Sequence, residues 1–339
     1  MQKMIFVVDD NDTNLIMASE ALEERYRVMT LPSAERMFAI LRKIIPDLIL
    51  LDIEMPDIDG FEALRRLKEN ELYADIPVMF LTSMTDAAVE ARGFELGVVD
   101  FIGKPFSAPV LLNRIKTHLN IDELIRERTA QLQALQNAIV YVLADMVESR
   151  DYDTGGHVGR TTLYVEILLN AMKNKNSHAD EIKNLTMDSF ISSARLHDVG
   201  KIAVPDAVLN KPGKLTQEEF ESMKKHTTEG ERIIDQIVTR TGNVDFLRNA
   251  KSFTSSHHER WDGSGYPRGL KGYEIPIQGR VMAIADVYDA LISERPYKKA
   301  FTHSQACEII KESAGTHFEP ALVELFMDAR DEFEEIMSR

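Results

Sequence analysis

The 339-residue chain has one cysteine, Cys307, which excludes an internal disulfide framework and fits a reducing compartment. No run of 18 apolar residues occurs, so no membrane-spanning helix is expected. The first residues lack a basic stretch leading into an apolar one, and the expected location is cytoplasmic. Basic residues are the minority, 40 Lys and Arg against 55 Asp and Glu. The resulting net charge of -15 leaves no broad basic face to displace counterions, so direct DNA binding is not expected, although a local basic pocket for a small anion stays compatible. Gly and Pro are missing from residues 120–150, and long alternating strand patterns are missing beyond residue 140. The length and the 44% hydrophobic content allow two cores.

Three short apolar runs stand out near the N-terminus. Residues 4–8 end in Asp9-Asp10, residues 48–51 in Asp52, and residues 78–81 in Thr82-Ser83. They read as buried parallel strands, and the stretches 13–25, 33–44 and 60–70 between them as helices. That order predicts an α/β domain with a doubly wound parallel sheet, whose chemistry lies beyond the carboxyl ends of the strands. Asp9, Asp10 and Asp52 would converge there as an oxygen-rich nest suited to Mg²⁺ or Mn²⁺. Thr82 and Lys104 can add a hydroxyl and an ammonium for the oxygens of a phosphoryl group.

Residues 1–120 therefore resemble the receiver domain of bacterial response regulators, with its five-stranded sheet. The matching residues are Val8-Asp9-Asp10, Leu51-Asp52-Ile53-Glu54-Met55-Pro56, Thr82 and Lys104-Pro105-Phe106. The resemblance implies phosphorylation of Asp52 by a partner histidine kinase and Mg²⁺ held by Asp10 and Asp52 with help from Asp9. It also assigns Thr82 and Lys104 to the phosphoryl group and makes Phe101 the switch aromatic.

Residues 121–150 read as a helical, coiled-coil-prone linker. Ile121, Ile125, Arg128, Leu132, Leu135, Ile139, Val142 and Met146 recur at spacings of four and three, a heptad seam interrupted once at Arg128. Such a seam either packs on its own domain or joins two copies of the chain. The dimerising reading is favoured, because an unbroken helix can carry a rotation from one domain to the next.

Beyond it, residues 151–339 read as nearly all helix, with stretches at 162–174, 186–196, 216–225, 230–238, 279–292, 304–313 and 320–335. The polar segment 170–188 is expected to be a surface excursion. Thr216 with Glu219 three residues on has capping-box spacing. A helical bundle builds metal sites from side chains on facing helices. Five of the nine histidines, His157, His197, His226, His257 and His258, lie in recognisable contexts. Asp198 follows His197 directly, and Asp286 sits in an apolar helix where an unpartnered carboxylate would be costly. This set exceeds a structural zinc site and contains no thiolate, which favours two or more iron or manganese ions. Paired metals can activate water near neutral pH and stabilise both oxygens of a phosphoester displacement, with Asp198 as the shared ligand and Lys201 on the phosphate.

The same residues resemble the HD-GYP branch of the HD phosphohydrolases over residues 140–330. Its marks are Asp153-Thr154-Gly155-Gly156-His157, His197-Asp198-Val199-Gly200-Lys201, Lys225-His226-Thr227, His257-His258 running through Gly265-Tyr266-Pro267, Asp286-Val287-Tyr288-Asp289 and Arg295-Pro296-Tyr297-Lys298. The resemblance implies a metal-dependent phosphodiesterase opening cyclic di-GMP to the linear dinucleotide pGpG, in some members onward to GMP. It casts His157, His197, Asp198, His226, His257, His258 and Asp286 as metal ligands. Lys201, Arg295 and Lys298 become substrate contacts, and Gly265, Tyr266 and Pro267 shape the pocket. Asp153 replaces the Glu that many members use for a third metal and is one methylene shorter, so two ions are expected and a third stays open. Two alternatives remain: a non-catalytic cyclic-dinucleotide sensor, and a hydrolase of another cyclic or linear dinucleotide.

Overall fold

The structure, a computed structural model, describes residues 2–83, 87–151, 156–294 and 300–337. Contacts divide the chain into two compact units at Leu132 and Gln133.

In the first unit, β1 (Met4–Val8), α1 (Asp12–Leu22), β2 (Arg27–Leu31), α2 (Ala34–Leu41), β3 (Leu48–Asp52), α3 (Gly60–Lys68), β4 (Val78–Thr82), α4 (Ala87–Glu95) and β5 (Asp100–Gly103) follow in strict alternation. All strands are parallel, in the order β2-β1-β3-β4-β5. The expected α/β receiver architecture is what the chain forms. Strand alternation explains the two cores: Phe6 and Val8 face one side of the sheet with Met37 and Leu64, while Ile5 and Val7 face the other with Leu22 and Leu111. Helix starts follow local chemistry, since Asn11, Ser33 and Asp59 cap α1, α2 and α3 with their side-chain oxygens.

Helix α5 (Ala108–Glu148) runs unbroken through the linker residues. The expected heptad seam is solvent-facing: Ile121, Ile125, Leu132, Leu135, Ile139, Val142 and Met146 are each 49–67% exposed. The opposite face of its last turns is buried, and Val140 packs with Leu196, Ile234, Leu247 and Ala250.

The second unit is helical: α6 (His157–Asn174), α7 (Ala179–Ile182), α8 (Met187–Ala194), a 3-10 turn at Val199–Ala203, α9 (Asp206–Leu209), α10 (Gln217–Thr241), α11 (Asp245–Ser256), α12 (Ile277–Ile292), α13 (His303–Glu312), α14 (Pro320–Asp328) and α15 (Arg330–Met337). Helix α12 is apolar nearly all round and forms the core with α6, around Tyr164, Leu168, Val281 and Tyr288.

Several sequence expectations need correction. Stretches 216–225 and 230–238 form one helix, α10, because Gly230 serves close packing instead of a break: a Cβ there would lie 2.1 Å from the Thr254 hydroxyl. The stretch 320–335 is two helices broken at Ala329, which lets Phe333 stack on Tyr164 with ring centroids 4.7 Å apart. Nothing in the local sequence signals that stop; the aromatic contact decides it. Helix α11 lies outside the helical stretches expected from sequence. Segment 170–188 is no surface excursion, since Met172 and Ile182 join the core and the His178 side chain reaches buried Glu319 at 2.8 Å.

Candidate functional site

In the first unit the strand ends bring Asp9, Asp10 and Asp52 together as a group able to hold a cation. Asp9 is fully buried and Asp52 nearly so, whereas Asp10 is exposed. Lys104 bridges Asp9 and Asp52 at 2.7 Å each. Asp9 also accepts from the Asn14 amide at 3.0 Å and the Asn11 backbone at 2.9 Å. Burial raises the Asp52 carboxyl above its ordinary value, with Lys104 opposing and Asp9 reinforcing. Burial pulls the Lys104 ammonium down, but its bonds to Asp52 and Asp9 outweigh this and leave it raised. Thr82 is buried at the end of β4, and Phe101 is turned inward against Phe80 and Phe94, at centroid distances of 5.6 and 5.1 Å. The Lys104–Pro105 peptide is cis.

The second unit gathers the histidines. His157 is the first residue of α6, His197 and Asp198 lie between α8 and the 3-10 turn, and His226 is inside α10. His257 and His258 follow the end of α11, while Asp286 and Asp289 lie one turn apart on α12. Local packing makes the convergence possible. A Cβ on Gly200 would sit 1.8 Å from the His226 carbonyl, so a glycine three residues after His197 is what lets the 3-10 turn lie against α10.

Asp198 is the hub. Its Oδ2 is 3.4 Å from His197 Nε2, and its Oδ1 is 3.4 Å from His226 Nε2 and 3.6 Å from His257 Nε2. Asp198, His226, His257 and His258 form one cation-binding group, and His157, His197 and Asp198 a second. The Nδ1 atoms of His197, His226 and His257 face the carbonyls of Ala194, Met223 and Phe253 at 3.0, 2.7 and 3.0 Å. A carbonyl only accepts, so each Nδ1 carries the hydrogen and each Nε2 presents a lone pair toward Asp198. His197 Nε2 and Asp198 Oδ1 are buried with no hydrogen-bond partner. Lone pairs aimed at one another and left unsatisfied are costly, and this donor set fits a divalent cation at each group.

Protonation follows the same logic. Burial lowers His226 to about 4 and pushes His258 well below its usual value, so both are neutral at pH 7. Burial would raise Asp198, but the Lys201 ammonium leads the groups that outweigh it and hold the carboxylate well below the usual range. Lys201 donates to Asp198 at 2.9 Å and to Asp151 at 3.1 Å. Burial opposes its charge, and the carboxylates override burial, so its pKa is raised.

Asp286 Oδ1 lies 3.5 Å from His157 Nε2. Asp289 received no role from sequence, yet it is buried and accepts from His157 Nδ1 at 2.8 Å and from Arg160 Nε at 2.7 Å. It orients the His157 ring as outer carboxylates orient metal-ligating imidazoles. The usable signal was its i,i+3 spacing from Asp286 in an otherwise apolar helix. Tyr266 of the signature loop tilts over His258 at a centroid distance of 4.8 Å. Gly265 packs on the Glu259 backbone, and the buried Glu259 carboxylate accepts from the amides of Arg268 and Leu270 at 2.8 and 3.0 Å, which anchors the loop. A cavity of about 320 Å³ opens beside these groups, lined by His157, Asp198, Lys201, His258, Tyr266 and Asp286 among others. Asp153, Arg295 and Lys298 lie outside the described residues.

A family model described as the response regulator receiver domain matches residues 5–116, and one described as the HD domain matches residues 142–322, more than half of the chain. A Vibrio cholerae protein named "Probable cyclic di-GMP phosphodiesterase" is 38% identical over an alignment of 353 residues, covering 100% of this chain and 80% of the relative. The "Cyclic di-GMP phosphodiesterase response regulator RpfG" of Xanthomonas campestris pv. campestris is 35% identical, covering 86% and 77%. A second Vibrio cholerae protein, "3'3'-cGAMP-specific phosphodiesterase 2", is 45% identical over 202 residues, 60% of this chain and 36% of the relative. The chain belongs to the response regulators that join an N-terminal receiver domain to a C-terminal HD domain.

Proposed function

We propose that this chain is a two-component response regulator whose HD domain is a metal-dependent phosphodiesterase, hydrolysing cyclic di-GMP to the linear dinucleotide pGpG under control of Asp52 phosphorylation. The carrying observation is the Asp198 carboxylate facing three imidazole Nε2 atoms within 3.6 Å, with two of these buried donor atoms unpartnered, beside a cavity that also receives Lys201. The names of two relatives that align along most of this chain support the substrate.

His157, His197, Asp198, His226, His257, His258 and Asp286 are the proposed ligands. Asp198 belongs to both cation groups, which suits a bridging carboxylate. Imidazole dominance without thiolate favours iron or manganese over zinc. When bound, such ions supply the positive charge that activates water and stabilises the oxygens of the phosphoester. Lys201, held charged by Asp198 and Asp151, meets a phosphate oxygen; Asp289 keeps His157 in one tautomer and orientation; Tyr266 walls the cavity over His258. Arg295 and Lys298 complete the substrate contacts, Asp153 is the candidate for a third ion, and Gly265 and Pro267 shape the loop.

In the receiver, Asp9, Asp10 and Asp52 hold Mg²⁺, a histidine kinase supplies the phosphoryl group to Asp52, and Thr82, Phe101 and Lys104 read it. The exposed seam of α5 favours a homodimer. Among the described residues no helix is long and apolar enough to cross a membrane, and a cytoplasmic location is part of the proposal.

The relative specific for 3'3'-cGAMP favours a second reading, in which a mixed cyclic dinucleotide is the substrate. The test is product chromatography from each cyclic dinucleotide, using protein purified without oxygen and loaded with iron or manganese, with Asp198→Ala as control. Linear product from cyclic di-GMP at the higher kcat/KM, lost in the variant, is the expected result; preference for the mixed dinucleotide transfers the assignment to it. Acetyl phosphate should change turnover in the wild type and leave Asp52→Asn unaffected. An unchanged wild-type rate, with Asp52 verified as phosphorylated, removes the control.

A further inference from the structure

The helix that presents His157 begins without a cap of its own. Its N-cap is Gly156, which has no side chain to accept from the first amides. The acceptor comes from eight or more residues upstream: Glu148, the last residue of α5, accepts from the His157 amide through Oε1 at 2.7 Å and from the Val158 amide through Oε2 at 3.2 Å. The two residues that follow nearby hold the other side of the site. Arg150 donates to the Ile202 carbonyl at 2.8 Å and the Val204 carbonyl at 3.2 Å, gripping the 3-10 turn behind Asp198, while Asp151 accepts from Lys201. On the face of α5 that leads into this turn, Val140 packs against Leu196, next in sequence to His197.

We propose that Glu148 is a positioning residue: by capping the helix that starts at His157, it fixes that imidazole against Asp198 and Asp286 and ties one metal position to the last turn of α5. The inference rests on the metal-centre reading above and not on the identity of the substrate. A helix end held by its own cap would fray independently of α5; fraying of this one breaks both Glu148 bonds.

The test is equilibrium Mn²⁺ titration of the full chain, free ion followed by electron paramagnetic resonance, for wild type, Glu148→Ala and Glu148→Gln, with thermal melting of each metal-free protein. The expected result is that Glu148→Ala weakens one class of Mn²⁺ by about 10-fold, the effect of losing an orienting partner around a ligand. The other class holds, and melting falls by only about 2–4 °C, as for a lost helix cap in a unit of this size. Glu148→Gln keeps one acceptor oxygen for the His157 amide and should recover most of the affinity. Unchanged affinity in Glu148→Ala, or equal weakening of both classes, overturns the proposal, as does a Gln variant no better than Ala. If wild type binds Mn²⁺ but leaves cyclic di-GMP intact, the proposed substrate fails while the titration still decides the role of Glu148. A wild type that takes up no Mn²⁺ overturns both.

Discussion

Both units hold a lysine between two aspartates, yet they do so for different chemistry. In the receiver, Lys104 spans Asp9 and Asp52, and the nest around it is all oxygen. In the HD domain, Lys201 spans Asp198 and Asp151, and the nest is crowded with imidazole. Oxygen donors suit a hard ion that keeps its waters and can exchange as a phosphoryl group comes and goes. Imidazoles suit borderline ions held for longer. On the proposed function, similar charge pairing serves a transient site in one case and a resident one in the other.

The largest expected effect comes from removing the HD hub. Asp198→Ala should lose both cation groups and cut turnover by at least about 10³-fold, the several kcal/mol that metal charge supplies to a phosphoester displacement. Metal content by mass spectrometry and product chromatography check it. Asp9→Ala, measured without a phosphodonor, should leave basal turnover within about twofold; a comparable loss there would erase the contrast between the two nests.

A buried ion group away from either nest separates structure from function. Glu319 pairs with His178 at 2.8 Å and Arg280 at 2.6 Å, with all three side chains nearly inaccessible. Burial raises its carboxyl, but His178 and Arg280 outweigh burial and leave it below the ordinary value. The unfolded chain then binds more protons than the native one between the two pKa values, so stability rises with pH across that window. The contribution is present above the unfolded value near about 4.3 and is lost as pH falls through the folded value. Glu319→Gln should cost about 1.5–3 kcal/mol at pH 7 by taking the charged acceptor from His178 and Arg280, although Arg280 keeps Glu181, and should flatten the acid limb of stability against pH, both read from urea unfolding. Metal affinity of the folded fraction should not change.

Asp289→Asn should weaken metal binding at the His157 position by about 10–100-fold, since the amide can favour the wrong tautomer of that ring. Calorimetric titration with Mn²⁺ would show it, and rescue is not expected from Glu, whose extra methylene displaces the carboxylate.

The smallest effect falls on the linker. Leu135→Lys with Ile139→Lys should raise the dissociation constant of the dimer by about tenfold or more in sedimentation, with Asp198 chemistry in the monomer retained. Unchanged association would assign the seam to no partner of its own kind.

The receiver was legible because a parallel sheet sends each strand's next residue to the same edge: three apolar runs ending in Asp9-Asp10, Asp52 and Thr82 already define the site. The metal cluster of the HD domain was legible as residue types, since His197-Asp198 and His257-His258 are rare adjacent pairs. What each residue does was less so. By sequence Asp289 reads as part of a motif and Glu148 as the end of a linker.

The amino-acid sequence by itself determined three of the five strands, the helical linker and the donors of both nests, because periodicity and residue chemistry are local properties. Only the tertiary structure decided which lone pairs meet, which carboxylate orients His157, where α14 stops, and that Glu148 caps a helix it does not belong to. Those facts depend on contacts between residues as many as 169 positions apart, and no local pattern carries them.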